Sequence, residues 1–171
     1  GTKEGYRWTG ENWIPELINE YRKIYPNLII HDENFPTPDE LLNVYRIGNI
    51  TDVSEMTMDS PGSALLMERI LDNDDRTLFI QSWGGTNTTA RALKSIQDKY
   101  ERTDQWQSIK SKIEEKVVLF MILEQDKTYQ NYIKQNWDLK VIFDSMNFGY
   151  FAYRWKSMPQ SISKYLSSNW Q

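Results

Sequence analysis

Five places in the chain carry residue types that can do chemistry on a polar ligand. They are His31-Asp32-Glu33, Asp59, the run Trp83-Gly84-Gly85-Thr86-Asn87-Thr88, Glu124-Gln125-Asp126, and Asp144-Ser145 with Asn147. His31 is the chain's one histidine. A histidine at a ligand site can donate a proton; a lone one is equally a structural residue. Asp59 precedes Ser60-Pro61, so it reads either as a ligand contact or as an acidic residue favouring a helix N-terminus. Gln125 and Asp126 follow an apolar run. They can bind hydroxyls or a hard cation, or cap a helix. Gly84 and Gly85 let a backbone approach a ligand closely, with helix amides pointing outward. The lysine and glycine spacing of a phosphate loop are missing there, and an ordinary tight turn is the competing reading.

These residues meet only if the elements carrying them share an edge. Trp13, Leu17, Ile18, Tyr21 and Ile24 recur at helical spacing over 11–24, and Tyr25-Pro26-Asn27 reads as the stop. Leu28-Ile29-Ile30-His31 then reads as a buried strand. Thr37-Pro38-Asp39-Glu40 has the form of a capping box with proline at the first helical position. Residues 48–60 form a long polar loop, a candidate site loop. Ser60-Pro61 opens a helix that Asp72-Asn73-Asp74-Asp75 ends. That acidic turn lacks the glycine and distal glutamate of a calcium loop and reads as solvated. Strands are expected at 78–83, 117–123 and 139–143, helices after Thr86, over 104–114 and over 127–136. Continuous apolar strands alternating with helices imply an α/β protein with a doubly wound parallel sheet. In such sheets ligands sit beyond the carboxyl ends of the strands, and all five places fall at that edge or just before a helix.

Composition narrows the classes further. The chain has 171 residues, 39% hydrophobic and 26% charged, with a formal charge of −4 and no cysteine. One domain over residues 1–171 fits that length. Thiol chemistry, cysteine–zinc sites and disulfides are excluded. No apolar run reaches the ~18 residues of a membrane helix, and the acidic balance argues against a nucleic-acid polymer as partner. Gly1-Thr2-Lys3-Glu4 leads into polar sequence, not a secretory leader. Seven Trp, ten Tyr and six Phe make the chain rich in rings. Most fill cores, but Trp8, Trp13, Trp83, Trp155 and Trp170 are candidates for stacking on a sugar.

Together the motifs resemble the nucleoside hydrolase-like, cellulose-binding domain family of secreted bacterial proteins, itself similar to the inosine-uridine nucleoside hydrolases. The matching residues are Tyr25-Pro26-Asn27-Leu28 with His31, Phe35-Pro36-Thr37-Pro38 with Leu41, Asp59-Ser60-Pro61-Gly62-Ser63, Trp83-Gly84-Gly85 with Asn87-Thr88 and Ala90, Ala92-Leu93, and Gln125-Asp126. The resemblance implies a Rossmann-like sheet, a calcium ion at its carboxyl edge, and cleavage of a ribosyl or other glycosyl bond. Asn87 matches the position whose backbone carbonyl reaches that metal; His31 and Asp126 are the catalytic candidates. Asp59, Trp83, Asn87, Gln125 and Asp126 are the substrate-binding candidates.

The relatives' opening strand, roughly Asp-x-Asp-x-x-x-Asp-Asp, is not among these residues, nor is a later His-Gly-Pro-Leu-Gly-type segment. The expectation is therefore a partial domain lacking its first strand and catalytic aspartates, with an exposed sheet edge or a homodimer. Two functions follow: a hydrolase completed by a longer parent protein, or a non-catalytic carbohydrate-binding domain for glucan or cellulose. The expected partner is a sugar, nucleoside or polysaccharide, and the expected compartment is periplasmic or secreted.

Overall fold

The computed structural model describes residues 11–152 and 154–166. Helix α1 (Trp13–His31) packs on α2 (Pro38–Val44). The long loop leads to α3 (Pro61–Leu71), then β1 (Leu78–Ser82), α4 (Asn87–Tyr100), α5 (Trp106–Lys116) and β2 (Val117–Ile122). A π-wound segment, Tyr129–Ile133, runs into α6 (Lys134–Asn136); β3 (Lys140–Asp144), α7 (Asn147–Ala152) and α8 (Gln160–Ser163) follow. The three strands are parallel in the order β1-β2-β3, with Ile80 opposite Leu119 and Leu119 opposite Val141.

One face of the sheet carries the core. Ile80, Val117, Leu119 and Met121 pack there against Ala90, Leu93 and Ile96 of α4, Ile113 of α5, and Ile133. The opposite face is buried over β2 at Val118 and Ile122, while Phe79 on β1 is 59% exposed. The acidic turn after α3 behaves as an ordinary solvated turn with charges attached. Lys116 Nζ donates to Asp72 Oδ1 at 2.6 Å, and Arg76 pairs with Asp74.

Both proline-marked helix starts form as their side chains dictate. Thr37 accepts from the Glu40 amide while the Glu40 carboxylate accepts from the Thr37 amide. Ser60 and Ser63 make the same reciprocal pair at α3, with serine in the glutamate's place.

The beginning of the chain corrects the sequence reading. Pro26 does not stop α1; it lies inside a helix that continues to His31, and the expected strand at 28–31 is its last turn. The expected four strand ends are therefore three. A four-residue apolar run carries no period able to tell strand from helix. Here the run is not buried, Ile30 being 78% exposed. The proline removes one ladder bond, and contacts to the following segment hold the helix just before it. Tyr21 Oη donates to the Pro36 carbonyl at 2.7 Å, and Arg22 pairs with Asp39 at 2.6 Å.

The long loop is seated by backbone proximity. The Gly62 amide donates to the Ile47 carbonyl at 2.7 Å. A Cβ on Gly62 would stand 2.9 Å from Gly48 Cα and 3.0 Å from that carbonyl. Backbone atoms cannot rotate aside, so Gly62→Ala should lower stability by about 2 kcal/mol despite alanine's better helix propensity. Urea unfolding measures this; an unchanged midpoint would refute the close approach.

Candidate functional site

The carboxyl rim is organised by the start of α4. The helix has Thr86 at its N-cap, but Thr86 makes no capping bond of its own. Asp126, from the loop after β2, supplies the missing acceptor. Its Oδ2 accepts from the Asn87 amide at 3.1 Å. Its Oδ1 accepts from the Thr128 amide at 3.0 Å, the Thr128 hydroxyl at 2.6 Å and the Thr86 hydroxyl at 3.3 Å. A buried carboxylate at a helix N-terminus is favoured by the exposed amides and by the helix dipole.

Asn87 is buried and turned the other way, toward the long loop. Its Nδ2 donates to the carbonyls of Asn49 at 2.6 Å and Glu55 at 3.0 Å. Asn49, also buried, donates from Nδ2 to Glu55 and to the Met58 carbonyl, and its Oδ1 accepts from the Ser60 hydroxyl at 2.8 Å. Glu55 gathers further donors from Thr57 and Met58. The Asn49 amide chiefly, helped by those donors and opposed by partial burial, holds the Glu55 carboxyl down at about 2.

Asp59 lies outside this knot, on the flank of α4. It accepts from Arg91 at 2.8 Å and from the Ser95 hydroxyl at 2.6 Å. The Ser95 hydroxyl chiefly, and then the Arg91 charge, keep its carboxyl below the usual range, against partial burial. Arg91 also donates to the Thr57 carbonyl at 3.0 Å, so it clamps the loop onto the helix.

Trp83 stands at the end of β1 with its indole 62% exposed. It is held edge-on to Phe148, centroids 5.8 Å apart, and its Nε1 donates to Gln81. Gln125 braces the same place, donating from Nε2 to the carbonyls of Trp83 at 3.0 Å and Ile122 at 3.1 Å. Leu123, where the chain leaves β2, takes a φ of 58°. That left-handed conformation is strained for a γ-branched side chain.

The structure thus joins Asn87 to Asp126 and Gln125 to Trp83. It does not gather Asp59, Asn87 and Asp126 around one hollow. His31 is in the last turn of α1 rather than at a strand end, because the strand that was to carry it is helix. Trp13 opens α1; Trp8 and Trp170 lie outside the described residues, as does the side chain of Trp155. Sequence reasoning missed Asn49, Glu55 and Arg91. The length of loop 48–60 was the one signal that pointed at the first two.

Calcium takes six to eight oxygen ligands. Both Asp126 oxygens are already occupied by internal donors. Asn87 is the first residue of α4, after the Thr86 carbonyl that begins the ladder, so its own carbonyl points down the helix axis, away from the rim. Among the described residues no group of three or more histidines and carboxylates could hold a metal. The described residues do not fit the ion.

The comparisons with known proteins agree with this architecture. The family model described as "Cellulose-binding Sde182, nucleoside hydrolase-like domain" matches residues 3–170. The chain belongs to that family. Its fold is the nucleoside hydrolase-like α/β fold with a three-stranded parallel sheet. A solved structure, described as a nucleoside hydrolase-related hypothetical protein from Saccharophagus degradans associated with carbohydrate metabolism, matches with a TM-score of 0.60 and 29% identity. The match takes in 71% of this chain and 29% of that one, so the nucleoside hydrolase-like chain spans less than a third of that protein. No curated protein matches.

If Asp126 is the cap of α4 and Asp59 a surface partner, their alanine variants should separate. Asp126→Ala strands a buried set of donors and should cost about 3 kcal/mol, whereas Asp59→Ala should cost about 1 kcal/mol or less. Equal losses in chemical denaturation would refute these roles. The Glu55 carboxyl is depressed in the folded state, so its contribution is present above the unfolded value of 4.5 and is lost as pH falls toward about 2. Glu55→Gln should be less stable at pH 7 and should show a shallower stability loss between pH 5 and 2. A parallel loss in both proteins would refute the depressed state.

Proposed function

We propose that this domain binds an uncharged polysaccharide, a β-linked glucan such as cellulose, at the carboxyl rim of its sheet, with Trp83 as the platform. The observation that carries the reading is the exposed, braced indole of Trp83. Pyranose rings present flat C–H faces that stack on aromatic rings, and a platform fixed in advance loses little entropy on binding. Beside it the Gln81 Nε2 can donate to, and the Gln125 Oε1 accept from, sugar hydroxyls, their other amide atoms being held by Trp83 and Ile122. A charge of −4 repels phosphates but is indifferent to a neutral glucan. The family's cellulose-binding description supports the same ligand class. An insoluble glucan is met outside the cytoplasm, so this reading goes with a periplasmic or secreted protein.

A second reading, hydrolysis of a ribosyl or other glycosyl bond, is favoured by the nucleoside hydrolase-like fold. His31 and Asp126 were its catalytic candidates. In this structure His31 ends a helix and Asp126 is committed to α4. Release of base or reducing sugar, with calcium supplied, would revive it.

The glucan reading is tested by retention on microcrystalline cellulose and by fluorescence titration with cellohexaose. Trp83→Ala should lose at least tenfold in affinity and most of the ligand-dependent change in emission, with its unfolding midpoint unaltered. Wild-type affinity in that variant, or no retention of the parent chain, would overturn it.

A further inference from the structure

Among the described residues two that are not glycine take a positive φ, Ser54 at 62° and Leu123 at 58°. In that conformation the Cβ crowds the backbone, a strain that glycine escapes and asparagine tolerates. Ser54 offsets it through its side chain, whose hydroxyl accepts from the Lys127 amide at 3.1 Å. Leucine has no polar atom with which to do the same. The Leu123 side chain is 44% exposed and stands outside the core cluster. The turn itself is required by its surroundings. The Leu123 amide donates to the Asp144 carbonyl at 3.0 Å, and the chain beyond it carries Gln125 to Trp83 and Asp126 to α4. That accounts for the backbone and not for leucine, since glycine makes the same turn without strain. What leucine adds is an apolar surface at the rim.

The sheet fixes where that surface lies. β2 is the middle strand, so described chain flanks Leu123 on both sides, with Trp83 after β1 and Asp144 at the end of β3. Ser82 lies opposite Met121, so Trp83 and Leu123 stand just past the ends of neighbouring strands. One amide links the two exits: Gln125 Nε2 donates to the carbonyls of Trp83 and of Ile122, the residue before Leu123. Neighbouring strands lie about 4.8 Å apart, close to the length of one hexose unit in a glucan. Trp83 and Leu123 are thus apolar contacts about one sugar step apart, set by the same glutamine.

We propose that Leu123 is a specificity-determining residue of the glucan site: with Trp83 it makes a two-step apolar platform that takes chains of all-equatorial units and rejects those with an axial hydroxyl, such as a β-linked mannan. The proposal rests on the glucan-binding reading and deepens it. In a chain of the cellulose type successive units are turned over, so two contacts one unit apart meet opposite faces. Glucose carries its hydroxyls equatorially and shows C–H on both faces. Mannose carries one axial hydroxyl, on one face only. Against Trp83 alone a mannan can slide by one unit and present its C–H face. Against Trp83 and Leu123 together, one of the two always meets the hydroxyl, which loses water there without gaining a partner.

The test is fluorescence titration with cellohexaose and with mannohexaose, for the wild type and for Leu123→Gly, Leu123→Asn and Leu123→Met. The wild type should bind cellohexaose about tenfold more tightly than mannohexaose. Leu123→Gly and Leu123→Asn keep Trp83 and suit the backbone; they should bring the two sugars within twofold of each other, with no fall in the unfolding midpoint. Leu123→Met should keep the preference. A wild type that binds both sugars alike, or a Leu123→Gly variant with the full preference, would overturn the proposal and leave Trp83 as the platform. A lower midpoint in Leu123→Gly and Leu123→Asn with the preference unchanged assigns the side chain to packing and overturns it too. Cellohexaose binding that survives Trp83→Ala, or no binding by the wild type, sinks the glucan reading itself, and the proposal goes with it.

Discussion

The carboxylate of Asp126 at the first turn of α4 ties two junctions into one piece. It reaches from the loop after β2 to the helix that follows β1, and through Thr86 and Thr128 it fixes both turns at once. The helix cannot cap itself, because the Thr86 side chain is engaged in this network rather than with the α4 amides. Its dipole and its Asn87 amide therefore depend on a group 39 positions away in sequence. A buried carboxylate of this kind is tolerated only when it is hydrogen-bonded, and here Oδ1 faces three donors and Oδ2 one. The position of Trp83 follows from the same arrangement, since Gln125, the neighbour of Asp126, holds the Trp83 carbonyl.

A second lock makes the long loop part of that piece. Loops of this length in compact domains are commonly lids or mobile binding segments. This one is bonded along its length: Asn49 to Thr88, Asn87 to Glu55, Arg91 to Thr57, and Ser54 to Lys127. Ser54 accepts a positive φ of 62° to make its contact. The bonds at Asn49 and Glu55 are half-buried and those at Thr57 and Ser54 exposed, and an opening motion would have to break all four together. The rim is a preformed surface. That favours a ligand which is itself stiff and extended, because neither partner then has to be ordered on contact.

Local chemistry was legible in the sequence and long-range chemistry was not. Thr37-Pro38-Glu40 and Ser60-Pro61 dictated helix starts through bonds three residues long, and both formed. Val117 to Ile122 could hardly be anything but a buried strand. The run at 28–31 was misread because four apolar residues carry no period of their own, while the helix they end is held before its proline by Pro36 and Asp39. Asp126 carried two open readings, ligand contact and cap. The choice between them lies in Asn87, Thr86 and Thr128, not in the residues flanking it. Asn49 and Arg91 gave no sequence signal of their own.

The same bonding pattern bears on how a hydrolase-like scaffold would serve binding. General acid catalysis needs a carboxyl that keeps its proton near neutral pH, which burial or a like charge provides. The loop carboxylates here are pushed the opposite way. Glu55 is held at about 2 by amides, and Asp59 is kept low by Ser95 and Arg91. Each is therefore an acceptor fixed in place, fit to position backbone and not to protonate a leaving group. What the rim leaves available to a ligand is of another kind: an exposed indole, with Gln81 Nε2 and Gln125 Oε1 beside it. Those groups suit the proposed neutral sugar, by contact and by hydrogen bonds of ordinary strength, and none of them changes its charge.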